Sequence, residues 1–378
     1  MKQVAVLGAG LVGGLIARDL AQDPALSVVA VDSSGDALES LSGIAGVSTM
    51  RVDLSDPAGV ASAVAAADVV AVAVPGFMGT AVVRAVLRAR KPVVDISFSP
   101  EDPLELDDEA KAAGLPVVVD CGVAPGLSNL FVGRSVASLD ATDEVLILVG
   151  GLPARRVWPY EYRLVFSLTD VIEEYTRPSR YRENGHEVVR PALSEPEYVD
   201  LPRVGTLEAF NTDGLRTLLH TIGAPNLKEK TLRFPGHIEK MRMLRDTGFF
   251  DQSPIVVGGV EVVPRALTET LLKKAWTLPA GDGEFTVLRV EVAGTKGGRK
   301  KRIVWDLYDE TDAVSGATSM ARTTGFPCAI VARILADRAF TRPGVHPPEI
   351  LGRDETLTGR ILLELSQRGV SVKRHETT

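Results

Sequence analysis

The chain begins with a short apolar run that leads directly into a glycine pattern. Val4–Leu7 precedes G-x-G-x-x-G, and a helical pattern that begins at Leu15 follows it and ends near Pro24. In this order of strand, tight turn and helix, the glycines let the backbone approach a pyrophosphate at the helix N-terminus. The pattern therefore predicts a dinucleotide-binding site. Its predicted cofactor-binding residues are Gly8, Gly10, Leu11, Val12 and Gly13.

A carboxylate stands at the end of the next apolar run. Val28–Val31 is followed by Asp32, nineteen residues after Gly13. A carboxylate at this place accepts hydrogen bonds from the adenosine ribose hydroxyls and repels the 2′-phosphate of NADP. The sequence therefore predicts NAD as the cofactor, in preference to NADP.

The alternation of strand and helix continues over the first 130 residues. Asp36 and Glu39 have the spacing of a capping box for a short helix at Ala37–Leu41. This rhythm is typical of right-handed βαβ crossovers and predicts an α/β fold with a doubly wound parallel sheet. The further apolar runs are Val69–Val74, Val93–Ile96 and Val117–Asp120, and the alanine-rich helical patterns lie at 58–66, 78–89 and 105–113.

The character of the sequence changes after Gly150, where aromatic residues cluster. The alternating segments Thr286–Val292 and Arg302–Tyr308 predict strands, with Gly294–Arg302 as a solvated hairpin loop between them. These features predict a second domain of α+β type.

An apolar helical pattern returns near the C-terminus. Thr324 and Pro327 are start signals for a helix at Cys328–Arg338. We expect this helix to pack back onto the first domain.

Composition and charge exclude several classes of protein. Of 378 residues, 45% are hydrophobic and 24% are charged, which argues against extended disorder. The 49 acidic and 42 basic residues give a net charge of -7, which provides no broad positive field for nucleic acid or an anionic membrane. Asp68 interrupts the longest weakly polar stretch, so no membrane span is predicted. We expect a small-molecule partner, with no nucleic acid and no membrane.

Cysteine and histidine are scarce. Cys121 and Cys328 are the two cysteines, which makes a disulfide framework improbable and favours a reducing, cytoplasmic location. With five histidines and no second cysteine near Cys121, no metal site is predicted.

Polar or small residues stand at the ends of the later strands, where open α/β sheets bind ligands. The candidates to face the nicotinamide ring or the substrate at these strand ends are Asp95, Asp120, Cys121 and Gly122. The two aspartates are as readily explained as caps or turn formers, and Cys121 as a small buried apolar group.

Two earlier strand ends carry weaker candidates for cofactor contact. Asp53 ends a third short strand and is placed to contact the adenine, although a helix-capping role explains it equally well. Val74 and Pro75 follow the next strand and border the nicotinamide side of the crevice, where turn chemistry alone also accounts for them.

Several longer motifs resemble the saccharopine dehydrogenase/reductase-like enzymes, and within them the lysine 6-dehydrogenases. The resemblance spans nearly the whole chain. The motifs are GAGLVGG, VVDISF, DCGVAPGLSN, GGLP, LEAFNTDGLRTL, TLRFPGHIEKMRMLRDTGFF, SMARTTGFPCAIVA and GVHPPE.

The resemblance implies a domain organisation. Residues 1–130 would form a Rossmann-like dinucleotide-binding domain, residues 131–315 an inserted α+β substrate and dimerisation domain, and residues 316–378 helices that return to the first domain. A homodimer is expected because the inserted domain carries exposed strands.

The resemblance also implies an activity and residues for the substrate. Lysine 6-dehydrogenases oxidise the ε-amine of L-lysine with NAD to allysine, which cyclises to piperideine-6-carboxylate. Asp95, Cys121 and Gly122 would line the substrate end of the cofactor crevice, and Asn211 would contact the substrate from the inserted domain. LEAFNTDG departs from the YPNRDS-like segment of the saccharopine-forming reductases, which argues against saccharopine as the substrate.

Two further substrate contacts have ordinary alternatives. Arg216 is a candidate for the substrate carboxylate because a planar guanidinium binds it through two hydrogen bonds, whereas a surface helix arginine fits NTDGLRTLL equally well. His237 is either a polar group of the same pocket or a turn histidine.

Amine oxidation requires a group that takes a proton from the ε-ammonium, because only the free amine has a lone pair. Asp95 and Asp120 are the candidates by strand-end position, and the sequence does not distinguish them. Two alternatives stay open: a saccharopine or carboxynorspermidine-type reductase, and a non-catalytic dinucleotide sensor.

Overall fold

The computed structural model describes residues 1–279 and 281–378. The chain divides into two compact units, which we describe separately. The first unit comprises Met1–Asp140, Arg216–Thr221 and Ala321–Val372, and the second comprises Ala141–Leu215, Ile222–Met320 and Lys373–Thr378. In the described part of the chain, no helix is both long and apolar enough to cross a membrane.

Strands and helices alternate over the first 140 residues. The strands are β1 (Lys2–Leu7), β2 (Leu26–Asp32), β3 (Val47–Arg51), β4 (Val69–Val72), β5 (Val93–Asp95) and β6 (Pro116–Val118). The helices are α1 (Leu11–Leu20), α2 (Gly35–Glu39), α3 (Pro57–Val64), α4 (Gly76–Arg88), α5 (Asp107–Ala113), which follows a 3-10 turn at Pro103–Leu106, and α6 (Leu127–Val136).

Residues 141–318 are richer in strands. These are β7 (Ala141–Pro153), β8 (Ser179–Glu183), β9 (His186–Arg190), β10 (Glu197–Leu201), β11 (Gly205–Asn211), β12 (Asn226–Arg233), β13 (Ile255–Val257), β14 (Val260–Val262), β15 (Glu284–Lys296) and β16 (Arg299–Glu310). The helices are α7 (Leu168–Thr176), α8 (Leu218–Thr221), α9 (His237–Asp246) and α10 (Pro264–Trp276).

The chain then becomes mainly helical. Its remaining elements are α11 (Ser319–Ala336), β17 (Gly344–Val345), α12 (Pro348–Gly352), α13 (Glu355–Gln367) and β18 (Val372–Thr377).

The first unit is built on a parallel sheet. Among the described residues it has seven strands, in the order β17-β6-β5-β4-β1-β2-β3. The central strands are apolar and buried because helices cover both faces of such a sheet, as at Val4–Leu7 and Val69–Val72. The strand order reverses between β1 and β4, which creates a crevice at their carboxyl ends. The predicted doubly wound, Rossmann-like sheet is confirmed.

The second unit contains a mixed sheet. Its described strands run in the order β10-β11-β12-β7-β15-β16-β18, with β8 pairing to β12 and β9 pairing to β8. The pair β12–β7 is parallel, and the pairs β11–β12 and β7–β15 are antiparallel. The hairpin β13–β14 forms a separate two-stranded sheet.

The hairpin between β15 and β16 is tighter than predicted. Gly294–Arg302 was expected to be a loop, but only Gly297 and Gly298 lie between the strands. Their φ angles are 57° and 73°, which are the left-handed values that a two-residue hairpin turn requires. The lysines and arginines of this segment therefore lie on paired strands, where they alternate between the two faces.

The helix predicted to begin at Cys328 begins nine residues earlier. Helix α11 starts at Ser319 and contains Pro327 in its interior instead of near its start. Proline removes one backbone donor from a helix, which normally breaks or kinks it. The apolar pattern around Pro327 is largely buried, and this burial outweighs the local preference.

The cap of α2 also differs from the prediction. The N-cap is Ser34, whose Oγ accepts the N–H of Ala37 at 3.3 Å. Asp36 lies inside the helix, so Asp36 and Glu39 do not form the predicted capping box.

The unit boundaries differ from the predicted ones at 130 and 315. The first unit extends to Asp140 and resumes at Ala321, inside α11, and Arg216–Thr221 also belongs to it. The hydrophobic pattern of the sequence does not indicate that these six residues belong to the first unit while the residues on either side belong to the second.

A buried ion cluster joins three helices of the first unit. The carboxylate of Asp19 in α1 accepts hydrogen bonds from Arg333 of α11 at 2.6 Å and from Arg368, next to the end of α13, at 2.7 Å. Two guanidinium groups on one buried carboxylate satisfy both of its oxygens. The helical return is therefore fixed to α1 by charge as well as by apolar contacts.

Candidate active site at the carboxyl edge of the parallel sheet

In the glycine turn there is no room for a side chain at Gly8 or Gly13, whereas the space at Gly10 is open. A Cβ on Gly8 would lie 2.3 Å from the carbonyl oxygen of Ala73, and one on Gly13 would lie 1.9 Å from that of Gly8. A Cβ on Gly10 would meet no described atom within 4 Å. The open space at Gly10, the N-cap of α1, fits the approach of a pyrophosphate.

Asp32 lies beside this turn and supports it. Its Oδ2 accepts the N–H of Ala9 at 2.7 Å, and its Oδ1 accepts the N–H of Ser34 at 2.9 Å. Each carboxylate oxygen keeps a lone pair for a ribose hydroxyl. Leu11 and Val12 are the first residues of α1, so their N–H groups lie outside the helical bonding pattern and can bind an anion. These positions fit a dinucleotide.

The weaker cofactor candidates have local structural roles. Asp53 accepts hydrogen bonds from the N–H of Ser55 at 2.9 Å and from its hydroxyl at 2.7 Å, and these bonds lower the pKa of the exposed carboxyl. Val74 is buried after β4, and Pro75 is the N-cap residue of α4. Asp53 thus shapes a turn and does not cap α3, whose N-cap is Asp56. Val74 and Pro75 follow the carboxyl end of β4, and their contact with the nicotinamide side stays a prediction.

Asp95 is the last residue of β5 and its carboxyl is buried. The Oδ1 atom accepts hydrogen bonds from the N–H of Ser97 at 2.9 Å and from its hydroxyl at 2.6 Å. Burial raises the pKa of Asp95 to about 7; nearby Asp120 adds to the rise, and the Ser97 bonds and Arg216 oppose it. Near neutral pH this group therefore gains and loses a proton readily, as a general base must.

Asp120 and Arg216 form a buried ion pair. The guanidinium donates to the Asp120 carboxylate at 3.0 and 3.2 Å, and to the carbonyl oxygen of Ser99. It also lies over the ring of Phe98, 5.1 Å from the centroid. The side chains of Arg216 and Asp120 are 3% and 1% exposed, so the reading of Arg216 as a surface helix arginine is wrong.

Both partners of this pair have unusual backbone angles. The φ angles of Asp120 and Arg216 are 52° and 50°, in the left-handed region. Non-glycine residues in sparsely populated regions cost about 1–3 kcal/mol each and cluster at active sites and ligand clamps. The paired strain supports a functional role for the Asp120–Arg216 contact.

Cys121 follows Asp120 and has the character of a thiol. It is 3% exposed, and its N–H donates to the carbonyl oxygen of Asp95 at 2.9 Å. Burial, together with Asp95 and Asp120, raises the pKa of Cys121 well above its usual range. A buried thiol whose pKa is raised in this way is a poor nucleophile. Gly122 is equally enclosed: a Cβ there would lie 3.1 Å from Thr324.

A buried hydrogen-bond network that the sequence does not predict holds the segment of Arg216. The carboxyl of Glu349 accepts hydrogen bonds from Asn129 Nδ2 at 3.0 Å and from Thr221 Oγ1 at 2.6 Å. Burial raises the pKa of Glu349. Asn129 lies in the motif DCGVAPGLSN and Glu349 in the motif GVHPPE. The sequence does not indicate that these two residues contact each other.

Asn211 and His237 belong to the second unit. Asn211 Nδ2 donates to Ser194 Oγ at 3.2 Å, while no described group hydrogen-bonds to its buried Oδ1. His237 bonds through Nε2 to Tyr175 at 2.8 Å and through Nδ1 to the carbonyl oxygen of Tyr160 at 2.7 Å.

Burial lowers the pKa of His237 to about 3, so the ring is neutral. His237 is the first residue of α9 and lies in the core, not in an exposed turn. Among the described residues, no cluster of three or more histidine, cysteine or carboxylate side chains is placed to hold a metal ion.

Comparison with known proteins identifies two family models in this chain. The Saccharopine dehydrogenase NADP binding domain matches residues 4–118, and the Saccharopine dehydrogenase C-terminal domain matches residues 122–370. Together they cover the glycine turn, Asp95 and Arg216, whereas Asp120 and Cys121 lie between the two matches.

Curated relatives are distant. The alpha-aminoadipic semialdehyde synthase of Arabidopsis thaliana is 25% identical over 63% of this chain and 24% of its own length. The saccharopine dehydrogenase [NADP(+), L-glutamate-forming] of Pyricularia oryzae is 26% identical over 66% of this chain and 58% of its own length. The carboxyaminopropylagmatine dehydrogenase of Synechocystis is 22% identical over 66% of this chain and 64% of its own length. The matches thus span less than two thirds of these relatives.

A solved structure shares the fold over the full length. The apo saccharopine dehydrogenase (L-Glu forming) of Saccharomyces cerevisiae superposes with a TM-score of 0.83, covers 100% of both chains and is 20% identical. At 20% identity, this similarity shows that the two proteins share a fold.

Proposed function

The chain belongs to the saccharopine dehydrogenase family, and from this we propose that it oxidises the ε-amine of L-lysine to allysine, which then cyclises to piperideine-6-carboxylate. It is an oxidoreductase that uses a nicotinamide dinucleotide. The observation that carries the proposal is the buried carboxyl of Asp95, with a pKa of about 7, at the carboxyl edge of the sheet.

The residues of this edge have distinct roles in the proposal. Asp95 takes the proton that the ε-ammonium must lose, because the ionised carboxylate is available near neutral pH. Asp120 is bound to Arg216 through two hydrogen bonds, which makes it an electrostatic support instead of the proton acceptor. When bound, the nicotinamide ring accepts the hydride.

The overall reaction balances with water. One substrate ammonium, one oxidised cofactor and one water give one aldehyde, one ammonium ion, one reduced cofactor and one proton. Water adds to the substrate imine and ammonia leaves, so the site admits water after oxidation. Asp95 can return its proton to the departing nitrogen, because its pKa lets both forms exist at neutral pH.

For the cofactor, we propose that NAD is preferred. Asp32 is placed to accept hydrogen bonds from the ribose hydroxyls, and its negative charge disfavours a 2′-phosphate.

A second candidate is suggested by the relatives. Their names include a glutamate-forming saccharopine dehydrogenase and a carboxyaminopropylagmatine dehydrogenase. In this alternative the substrate nitrogen is secondary and carries a second carboxylate-bearing arm. The same Asp95 would take the proton from that nitrogen.

The deciding experiment is formation of reduced cofactor with a panel of L-lysine, cadaverine and saccharopine. We expect turnover with L-lysine and release of ammonia in equal amount. Oxidation of saccharopine with release of glutamate, and no ammonia from lysine, would establish the second candidate instead. Binding of dinucleotide without turnover of any of these three amines would contradict oxidation of both lysine and saccharopine.

Cys121 provides a test of the proposed mechanism within the site. Hydride transfer requires no covalent bond to the protein, so Cys121→Ser is expected to lower turnover about tenfold at most, whereas losing a true nucleophile costs roughly a millionfold. Steady-state kinetics with saturating cofactor measure the change. Complete inactivation of a folded, NADH-binding variant would contradict this role.

A further inference from the structure

The segment Arg216–Thr221 belongs to the first unit, although the chain on either side of it belongs to the second. Both of its ends are fixed to the first unit. At its start, the guanidinium of Arg216 donates two hydrogen bonds to the carboxylate of Asp120. At its end, the hydroxyl of Thr221 donates to the carboxyl of Glu349 at 2.6 Å. The segment is therefore held at both ends, and Arg216 is the residue that it brings to Asp120.

Glu349 is itself held in place by closely packed backbones. It lies in α12, and its side chain is fully buried. A Cβ on Gly133 of α6 would lie 2.0 Å from the carbonyl oxygen of Glu349, and one on Gly352 of α12 would lie 2.2 Å from that of Leu130. The two helices thus approach each other where neither has a side chain, which leaves α12 little freedom to move. Glu349 is therefore a rigid point of attachment.

Asn129 of α6 extends this attachment in two directions. Its Nδ2 donates to Glu349 at 3.0 Å and lies 3.5 Å from the hydroxyl of Thr217, the residue next to Arg216. Its Oδ1 accepts the N–H of Gly126 at 3.3 Å, at the start of α6. These groups are buried, so the loss of one partner leaves another polar group without a hydrogen bond and without water.

We propose that Glu349 is a positioning residue that holds Arg216 against Asp120. The φ angle of Arg216 is 50°, and such a backbone conformation persists only where contacts on several sides enforce it. Asp120 holds the guanidinium, and Glu349 holds Thr221 at the far end of the segment. The inference rests on the proposed function, in which Arg216 lies beside the proton acceptor Asp95.

The position of Arg216 affects the ionisation of Asp95. Among the described residues, the titratable or charged groups that act on this carboxyl are Asp120, Arg216 and the thiols of Cys121 and Cys328. Burial raises the pKa of both thiols, so they stay uncharged near neutral pH. Arg216 opposes the rise that burial causes in the pKa of Asp95, and Asp120 adds to that rise. Displacement of the guanidinium, which also leaves Asp120 unpaired, must therefore raise the pKa of Asp95 further.

The test follows the ionisation of Asp95 by carbon-13 NMR of its carboxyl, in the full chain without amine, with Asp95→Asn to assign the signal. Thr221→Val keeps the branched side chain but removes the hydroxyl that donates to Glu349, whereas Thr221→Ser keeps the hydroxyl. We expect Thr221→Val to raise the midpoint by roughly half a pH unit to one pH unit, and Thr221→Ser to leave it unchanged. Glu349→Ala should raise it at least as far, and Thr221→Val decides the question if Glu349→Ala does not fold.

The same variants should change the pH dependence of kcat/KM. The rising limb near pH 7 should move to higher pH by the same amount as the NMR midpoint. At pH 6, kcat/KM of Thr221→Val should therefore fall about threefold to tenfold relative to its value at pH 9. A hydrogen bond that only stabilised the fold would lower kcat/KM equally at both pH values, if at all.

Asp19→Asn is the matched control. Asp19 is another buried carboxyl of the first unit, but it bonds to Arg333 and Arg368 and not to the segment of Arg216. Its replacement should destabilise the protein at least as much as Thr221→Val and leave the midpoint of Asp95 unchanged. An equal shift in Asp19→Asn and Thr221→Val would mean that any loss of stability moves the midpoint, and would overturn the inference.

Two further outcomes separate this inference from the proposed function. An unchanged midpoint in folded Thr221→Val and Glu349→Ala would refute the positioning role and leave the proposed function standing. A midpoint that rises in both variants, in a protein that turns over neither L-lysine nor cadaverine nor saccharopine, would support the positioning role and contradict the proposed function.

Discussion

Arg216→Ala is expected to lower the free energy of unfolding by about 3–5 kcal/mol, because it leaves the buried carboxylate of Asp120 without its partner. Turnover should fall as well, since the same guanidinium lowers the pKa of Asp95 and lies at the strand ends. Urea unfolding at constant pH measures the first effect, and steady-state kinetics measure the second.

Two further variants separate the ion pair from a general loss of packing. The double variant Asp120→Asn, Arg216→Met removes both charges and should recover much of the lost stability. Arg84→Ala breaks a half-exposed pair with Glu109 in the same unit and should cost about 1 kcal/mol or less. Equal destabilisation by Arg84→Ala and Arg216→Ala would show that burial of the Asp120 pair is unimportant.

Asp95→Asn is expected to stabilise the protein at pH 8 while reducing kcat/KM by about a hundredfold to ten-thousandfold. The folded-state pKa of about 7 exceeds the ordinary value of 3.8, so the folded protein holds a proton that the unfolded chain has released. Stability from this group therefore falls as pH rises from about 4 to about 7, and the full penalty applies above that. The difference between the folded-state pKa of about 7 and the ordinary value of 3.8 corresponds to a loss of about 4 kcal/mol in the free energy of unfolding above pH 7.

Urea unfolding of wild type and variant at pH 5 and pH 8 measures this gain, which should be larger at pH 8. In kinetics, wild-type kcat/KM should rise with pH up to about 7, and Asp95→Asn should lack that limb.

Glu229→Gln is the matched control for this prediction. Burial raises the pKa of Glu229 to about 8, and its carboxyl accepts hydrogen bonds from Thr212 and Gly214 in the second unit. Its replacement should also favour folding at high pH but leave the pH profile of activity unchanged. A profile that loses its limb near pH 7 in Glu229→Gln, and keeps it in Asp95→Asn, would remove Asp95 from the mechanism.

The parallel sheet could be predicted because its signals are local. Each strand is a short apolar run, and the glycine turn follows the first of them within the same ten residues. The strand-end position of Asp95 follows from the same pattern, because side chains after parallel strands share one edge of the sheet. These parts of the site need no knowledge of distant contacts.

The remainder of the site depends on pairs that are far apart in the chain. Arg216 and Asp120 are 96 residues apart, and Asn129 and Glu349 are 220 apart. The polar segment NTDG precedes Arg216, so its sequence context is equally that of an exposed helix arginine. Only its charge partner makes burial favourable, and a single sequence does not reveal that partner. Pro327 failed as a start signal for a related reason, since tertiary burial outweighed its local preference.

The ion cluster of Asp19 has a consequence for how the first unit forms during synthesis. Asp19 and Arg333 are 314 residues apart, and at about 5–20 residues per second the ribosome needs roughly 15 s to one minute to cover that distance. Until then α1 has a carboxylate without its guanidinium partners, and β6 has an open edge that β17 later covers. The nascent glycine turn therefore exists for many seconds in an unfinished sheet, and the second unit emerges from the ribosome while the first still awaits its last strand and helices.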